Sequence, residues 1–158
     1  MSQLRPAAWL ALNGALLMFV GLFVGAAIPL VPYPRLMLSA HNAGFTVSGT
    51  LSMIAAVLLA TSLCTISGRS AKAVIAGHVA LWFLSAAEVA AAFWGTNQAI
   101  PLAAAEAGAK GGAQWQETLV TLCHIIPAIL LIIAWGILVW GVWRTIKNQR
   151  EVSGEASG

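Results

Sequence analysis

The sequence predicts an all-α protein, a bundle of four transmembrane helices. Charged residues make up 8% of the 158-residue chain and hydrophobic residues 59%, whereas a soluble domain carries about 25% charged residues. A water-soluble fold of this size would lack the charge to solvate its surface. Four apolar stretches each meet the roughly 20 residues that a spanning helix requires, and prolines, glycines or cations separate them.

The first stretch, about 7–30, is closed by Pro29, Pro32 and Pro34. It exceeds the apolar core of a signal peptide and is read as a retained helix. The second, about 36–66, ends at Ser67-Gly68-Arg69; the third, about 73–94, ends at Gly95-Thr96-Asn97. The fourth, about 118–143, ends at Arg144. Residues 1–146 form one transmembrane domain on this reading, and 147–158 form a polar, frayed C-terminal tail.

Four spans put both termini and the link between the second and third helices on one side. That side holds Arg5, Arg69, Lys72, Arg144, Lys147 and Arg150, and the other holds only Arg35 and Lys110. Lys and Arg concentrate in cytoplasmic segments, so both termini are expected in the cytoplasm, with the bacterial inner membrane as the location. The formal charge of +3 comes with no basic stripe interleaved with aromatics, so no nucleic-acid partner is expected. Trp94, Trp115 and Trp143 fall at predicted interfaces and read as an anchoring belt. Gly21 and Gly25 make a GxxxG, and Ala86, Ala87, Ala90, Ala91 and Ala92 line the third helix; small residues let membrane helices approach closely. Cys64 and Cys123 are placed at opposite faces of the membrane, too far apart to bridge, and read as packing residues.

Ionisable groups inside a span are costly and point to function. Four occur: His41, His78, Glu88 and His124. At about 1.5 Å per residue, His41 and Glu88 lie roughly 9 Å and His124 roughly 10 Å below the outer ends of the second, third and fourth helices. Three helices thus offer an ionisable group at one depth. His78 lies near the inner face and reads as a structural histidine bonded to a neighbouring carbonyl. His41, Phe45, Ser48 and Ser52 form one stripe, and His78, Leu81, Trp82, Ser85 and Glu88 fall within about 120° of one another at helical spacing. Pro127 removes a hydrogen bond to the Cys123 carbonyl near His124.

The chain has no GxSxG, P-loop, HExxH or dinucleotide fingerprint. It contains no Asp for a serine triad and no zinc-ligand spacing. An imidazole in an apolar bundle with aromatic neighbours suits haem. A single axial His leaves the opposite iron position open for chemistry, and two close it for electron transfer. The spacing leaves both arrangements open, with His41 alone or with His124 as its pair.

The stretch from Gly21 to His41, G-L-F-V-G-A-A-I-P-L-V-P-Y-P-R-L-M-L-S-A-H, contains P-R-x-x-L-S-A-H and is followed by Asn42-Ala43-Gly44. Further on come Ala91-Ala92-Phe93-Trp94-Gly95, Ile100-Pro101-Leu102-Ala103-Ala104 and Gln116-Glu117. In order and spacing these segments resemble the hydroxylaminobenzene mutase family through most of residues 12–143, and that family is more distantly similar to styrene oxide isomerase. The resemblance implies a homotrimer with haem b between subunits and His41 as axial ligand. It also implies an isomerase that turns an aryl hydroxylamine from nitroaromatic degradation into an ortho-aminophenol. The family's Asn-Gly six and seven residues after the histidine is replaced here by Val47 and Ser48.

The expected site therefore has His41 as metal ligand, with Phe45, Ser48 and His124 around the cofactor. Glu88 would stabilise positive charge or move a proton, and Ser85 and Trp82 would orient a small aromatic substrate. The segment from Gly95 to Gln116 is long for a bundle connection and is read either as a lid over the outer mouth, with Asn97 at its base, or as an unconstrained surface loop. The alternatives are an aryl-epoxide isomerase of the styrene oxide type, a b-type electron-transfer cytochrome, and a small proton-coupled transporter using Glu88.

Overall fold

The computed structural model describes residues 3–155, with side chains to residue 151, and among these every regular element is helical. Helix α1 runs Leu4–Ala27 and tightens into a 3₁₀ turn at Ile28–Leu30, where Pro29 closes it. The second span is composite: α2 (Pro34–Ser39), a π-helical segment (Ala40–Val47) and α3 (Ser48–Ala60). The third span is α4 (Gly68–Val79) followed after one turn at Ala80 by α5 (Leu81–Trp94). A short α6 (Pro101–Glu106) lies in the connection between the third and fourth spans, and α7 (Gln114–Glu155) forms the fourth span. Four helical segments are long and apolar enough to cross a membrane: Leu4–Leu30, Pro34–Ala60, Gly68–Trp94 and Gln114–Glu151. The chain is a multi-pass membrane protein.

Several ends differ from the sequence expectation. The second span stops at Ala60 rather than residue 66, because Ser62 adopts positive φ and the Cys64 amide turns back to the Leu58 carbonyl. Cys64 consequently lies in the connection, fully buried, with Sγ 3.4 Å from the Leu138 carbonyl; burial pushes its thiol pKa up. The third span begins at Gly68 rather than 73. Ser67, in extended conformation, caps it by accepting the Ser70 amide at 3.2 Å. The tail expected to fray continues α7 to Glu155, with Lys147 and Glu151 paired at 3.7 Å one turn apart; residues 156–158 lie outside the described part.

Adjacent spans pack along α1–α3, π–α5, α4–α7 and α5–α7. Close approach follows from small residues. A Cβ on Gly14 would come within 2.7 Å of the Gly49 carbonyl, and one on Gly49 within 2.9 Å of the Gly14 carbonyl. One apolar core joins Leu10, Leu59, Val74 and Leu138 from all four spans; another, under the 95–113 connection, joins Leu36, Met37, Ala92 and Ala104.

The 95–113 connection is tied down by one carboxylate. Glu117, only 2% exposed, accepts the backbone amides of Asn97 (3.0 Å), Gln98 (3.1 Å) and Gly112 (2.8 Å). Its neighbour Gln116 accepts the Ala113 amide at 2.8 Å, the back-bond of a helix N-terminal capping box. Gly95 ends α5 in the left-handed region (φ 67°), where a Cβ would lie 2.6 Å from the Tyr33 ring. The segments quoted from 91–95, 100–104 and 116–117 therefore build the architecture of this loop.

Candidate active site

The four intramembrane ionisable residues separate into distinct environments. His41 sits in the π segment, half-buried, with Nδ1 2.8 Å from the carbonyl of Gly21 on α1. A carbonyl only accepts, so Nδ1 is the donor, and in the neutral ring the lone pair lies on Nε2. The ring fits because α1 has no side chain there: a Cβ on Gly25 would be 2.9 Å from ring atoms Cε1 and Nδ1. One turn on, Phe45 packs its Cβ against Gly21 in the same way. The GxxxG of α1 thus seats the His41 and Phe45 side chains within the chain itself. The π segment takes its hydrogen bonds five residues back, as the Thr46 hydroxyl does to the His41 carbonyl at 2.9 Å. Residues 41 and 45, four apart, meet the same neighbour α1.

Glu88 lies on the other side of the second span, between it and α7. It is 3% exposed, and its Oε1 is 3.5 Å from His124 Nε2. His124 Nδ1 donates back to the Val120 carbonyl at 2.7 Å, which leaves Nε2 to face Glu88. At 3.5 Å the two groups are in contact outside hydrogen-bond geometry, a contact that is ionic when His124 is protonated. Glu88 Oε2 has no hydrogen-bond partner and lies against Gly44, where a Cβ would be 3.1 Å away. Ser85 seals this seam, its buried hydroxyl meeting the carbonyls of Gly44 and Leu81.

The common depth of His41, Glu88 and His124 is thus divided between two seams. Helix 1 and the π segment hold His41; helices α5 and α7 hold Glu88 with His124. Gly44, three residues beyond His41, is the point at which the second span touches Glu88 and Ser85. Of the stripe expected with His41, Ser48 and Ser52 turn inward and bond their own helix, to the Ala43 carbonyl at 3.4 Å and the Ser48 carbonyl at 3.1 Å. Val47, where the resembling family has Asn, is exposed.

Trp82 is held by a residue that sequence reasoning missed. Its Nε1 donates to Asn13 Oδ1 at 3.0 Å, and its ring stands edge-to-face with Phe45 at 6.1 Å. Asn13 Nδ2 is 3.0 Å from Ser52 Oγ and 3.3 Å from the His78 carbonyl, so one amide joins the first three spans. The signal was a lone Asn inside an apolar span, which a search restricted to ionisable groups passes over. His78 is fully buried with Nδ1 on the Val74 carbonyl at 2.8 Å, the self-bonded arrangement expected of it. Glu117 was also missed as a working residue, because at the edge of a span it reads only as the end of the membrane.

A helical membrane protein with a carboxylate, several imidazoles and an amide inside its apolar layer belongs to the class that uses intramembrane polar groups for chemistry or transport. A sequence model of the styrene oxide isomerase family matches residues 6–143, and the chain belongs to that family. It is also 28% identical over 149 residues to "Hydroxylaminobenzene mutase HabB" of Ectopseudomonas oleovorans, covering 92% of this chain and 85% of that relative. No solved structure matches it. The chain is an isomerase, and the expectations of electron transfer and proton-coupled transport give way to that assignment.

Proposed function

We propose that this isomerase rearranges an aryl hydroxylamine to an ortho-aminophenol, with haem b held through His41. The observation that carries the cofactor is the His41 ring itself. A metal-binding imidazole donates its other N–H to a carbonyl or carboxylate, which fixes its tautomer and orientation. His41 has that arrangement through Gly21, with Nε2 left as a lone-pair donor. The His124 ring faces Glu88 instead; this favours a single protein ligand over the paired-histidine arrangement. Haem held there by His41 would supply a Lewis-acidic iron for a substrate oxygen.

The remaining chemistry falls to the chain. Conversion of an aryl hydroxylamine to an ortho-aminophenol breaks N–O, forms C–O at the ortho carbon, removes one ring proton and adds one to nitrogen. It needs no net oxidant and no second substrate. Glu88, buried with Oε2 unpartnered, serves as the carboxylate that balances positive charge on the ring and takes up the ring proton. His124 holds the Glu88 carboxylate at its other oxygen. Ser85 and Trp82, both anchored, give the substrate ring a fixed wall. The apolar bundle excludes water, which would otherwise trap a cationic ring at the wrong carbon. The proposed assembly is a trimer in the bacterial inner membrane with both termini cytoplasmic. The half-buried position of His41 favours a cofactor shared at the edge of the subunit.

The test is an absorption spectrum of the protein purified in mild detergent after expression with haem available, with and without phenylhydroxylamine. A Soret band that shifts with substrate, is lost in His41→Ala and is kept in His124→Ala is expected. Absence of the band would overturn the haem assignment. A band that shifts with styrene oxide but not with phenylhydroxylamine would replace the substrate with an aryl epoxide.

A further inference from the structure

At the end of the bundle opposite the 95–113 connection, α1 and α4 diverge around a cavity of 550 Å³. Arg5 and Lys72 line it from the two helices, with Gln3, Pro6, Trp9 and Ile75 completing the wall. Neither cation joins an ion pair among the described residues: the ion pairs are Arg35–Glu106, His124–Glu88 and Lys147–Glu151. Glu117 is bound by loop amides at the far end of the molecule. Gln3 donates its amide to the Ile66 carbonyl at 2.8 Å, and its Oε1 is buried without a partner. Two positive charges thus share one cavity that the described part of the chain gives no anion.

The walls say which anion fits. Trp9, Pro6 and Ile75 lie on the outer surfaces of two membrane spans, and Trp9 is 55% exposed. A free phosphate would use the two cations and leave this apolar wall bare. A phospholipid uses both parts: the phosphodiester meets Arg5 and Lys72, and the acyl chains descend past Trp9 and Ile75. Basic pockets between spans at a membrane surface hold anionic headgroups, and Trp sits naturally at headgroup level.

We infer that the cavity between α1 and α4 binds the headgroup of one anionic phospholipid per chain through Arg5 and Lys72. This site is independent of the catalytic reading, and its occupancy ties the first and third spans together at this end.

The test uses the full chain in mild detergent and compares dioleoyl phosphatidylglycerol, dioleoyl phosphatidylcholine and inorganic phosphate by native mass spectrometry and thermal unfolding. Phosphatidylglycerol is expected to remain bound and to raise Tm, and the other two are not. The Arg5→Gln/Lys72→Gln variant should bind phosphatidylglycerol about 30-fold more weakly, from the attraction of an anionic surface for two cations. The Arg69→Gln/Arg150→Gln variant, altered at the same end but outside the cavity, should bind as the wild type does. Equal retention of phosphatidylcholine, or equal loss in both double variants, would overturn the site in favour of diffuse attraction. A full Tm rise with inorganic phosphate would overturn the lipid as its occupant. Should the first double variant not fold, the choice of phosphatidylglycerol over phosphatidylcholine by the wild type decides the headgroup, and Lys72→Gln alone decides the cavity.

Discussion

His41 and His124 lie at similar depth in neighbouring parts of the bundle, yet the structure gives them different partners. Each bonds a backbone carbonyl through Nδ1. His124 bonds its own helix at Val120, so its ring belongs to α7 and its free nitrogen looks inward at Glu88. His41 crosses to Gly21 on α1, so two helices fix its ring, and its Nε2 has no hydrogen bond among the described residues. A ring held from outside its own helix is pre-oriented for a ligand. A ring held by its own helix can serve a side-chain partner. The local sequence around His41 is the more polar, with Ser39, Asn42 and Thr46, but the difference in partners lies in what stands opposite, two glycines in one case and a carboxylate in the other.

Substitutions at the two seams should separate these roles. The largest effect is expected for Glu88→Gln, which keeps volume and removes the carboxylate. Turnover should fall about 100- to 10,000-fold while the Soret band stays, and unchanged turnover would remove Glu88 from the chemistry. Gly25→Val attacks the other seam by placing a side chain where the His41 ring lies. Retention of haem through a detergent wash should fall about 10- to 100-fold, as for loss of ligand orientation. If Glu88→Gln loses haem along with rate, Glu88 supports the cofactor rather than the proton transfer and the comparison fails.

Smaller effects probe the scaffold shared by both. Glu117→Ala leaves three backbone amides without their carboxylate and should cost about 2–3 kcal/mol of stability, read as a lower unfolding midpoint and as new protease cleavage between residues 97 and 112. Asn13→Ala should cost about 1–2 kcal/mol, in the range of hydrogen bonds between membrane helices, in a reversible unfolding titration. Arg35→Ala breaks a pair with Glu106 in which both side chains are more than half exposed. Its effect should be under about 0.5 kcal/mol, so a large loss of stability there would show that α6 depends on that contact.

Much of the site was legible from polarity alone. In a chain this apolar, His41, Glu88 and His124 stand out because burying them in lipid is expensive. Counting residues from the span ends placed them at one depth. Face assignments were less reliable, since they assumed a uniform α-helical turn. The eight-residue π segment breaks that assumption, yet His41 and Ser52 both meet α1, at Gly21 and Asn13, while Ser48 bonds the Ala43 carbonyl of its own span. Asn13 and Glu117 escaped because their importance comes from partners on other spans or in a loop, which no local pattern records.

Composition and periodicity by themselves determined that the chain is helical, enters the membrane and crosses it four times. Those properties follow from the transfer of side chains and the satisfaction of backbone groups within each segment. Only the tertiary structure decided which helix each polar group faces and which of its atoms remains free. That choice depends on the atoms opposite: glycines on α1 that admit a ring, Gly44 that admits a carboxylate, and carbonyls left within reach by a change of helical turn.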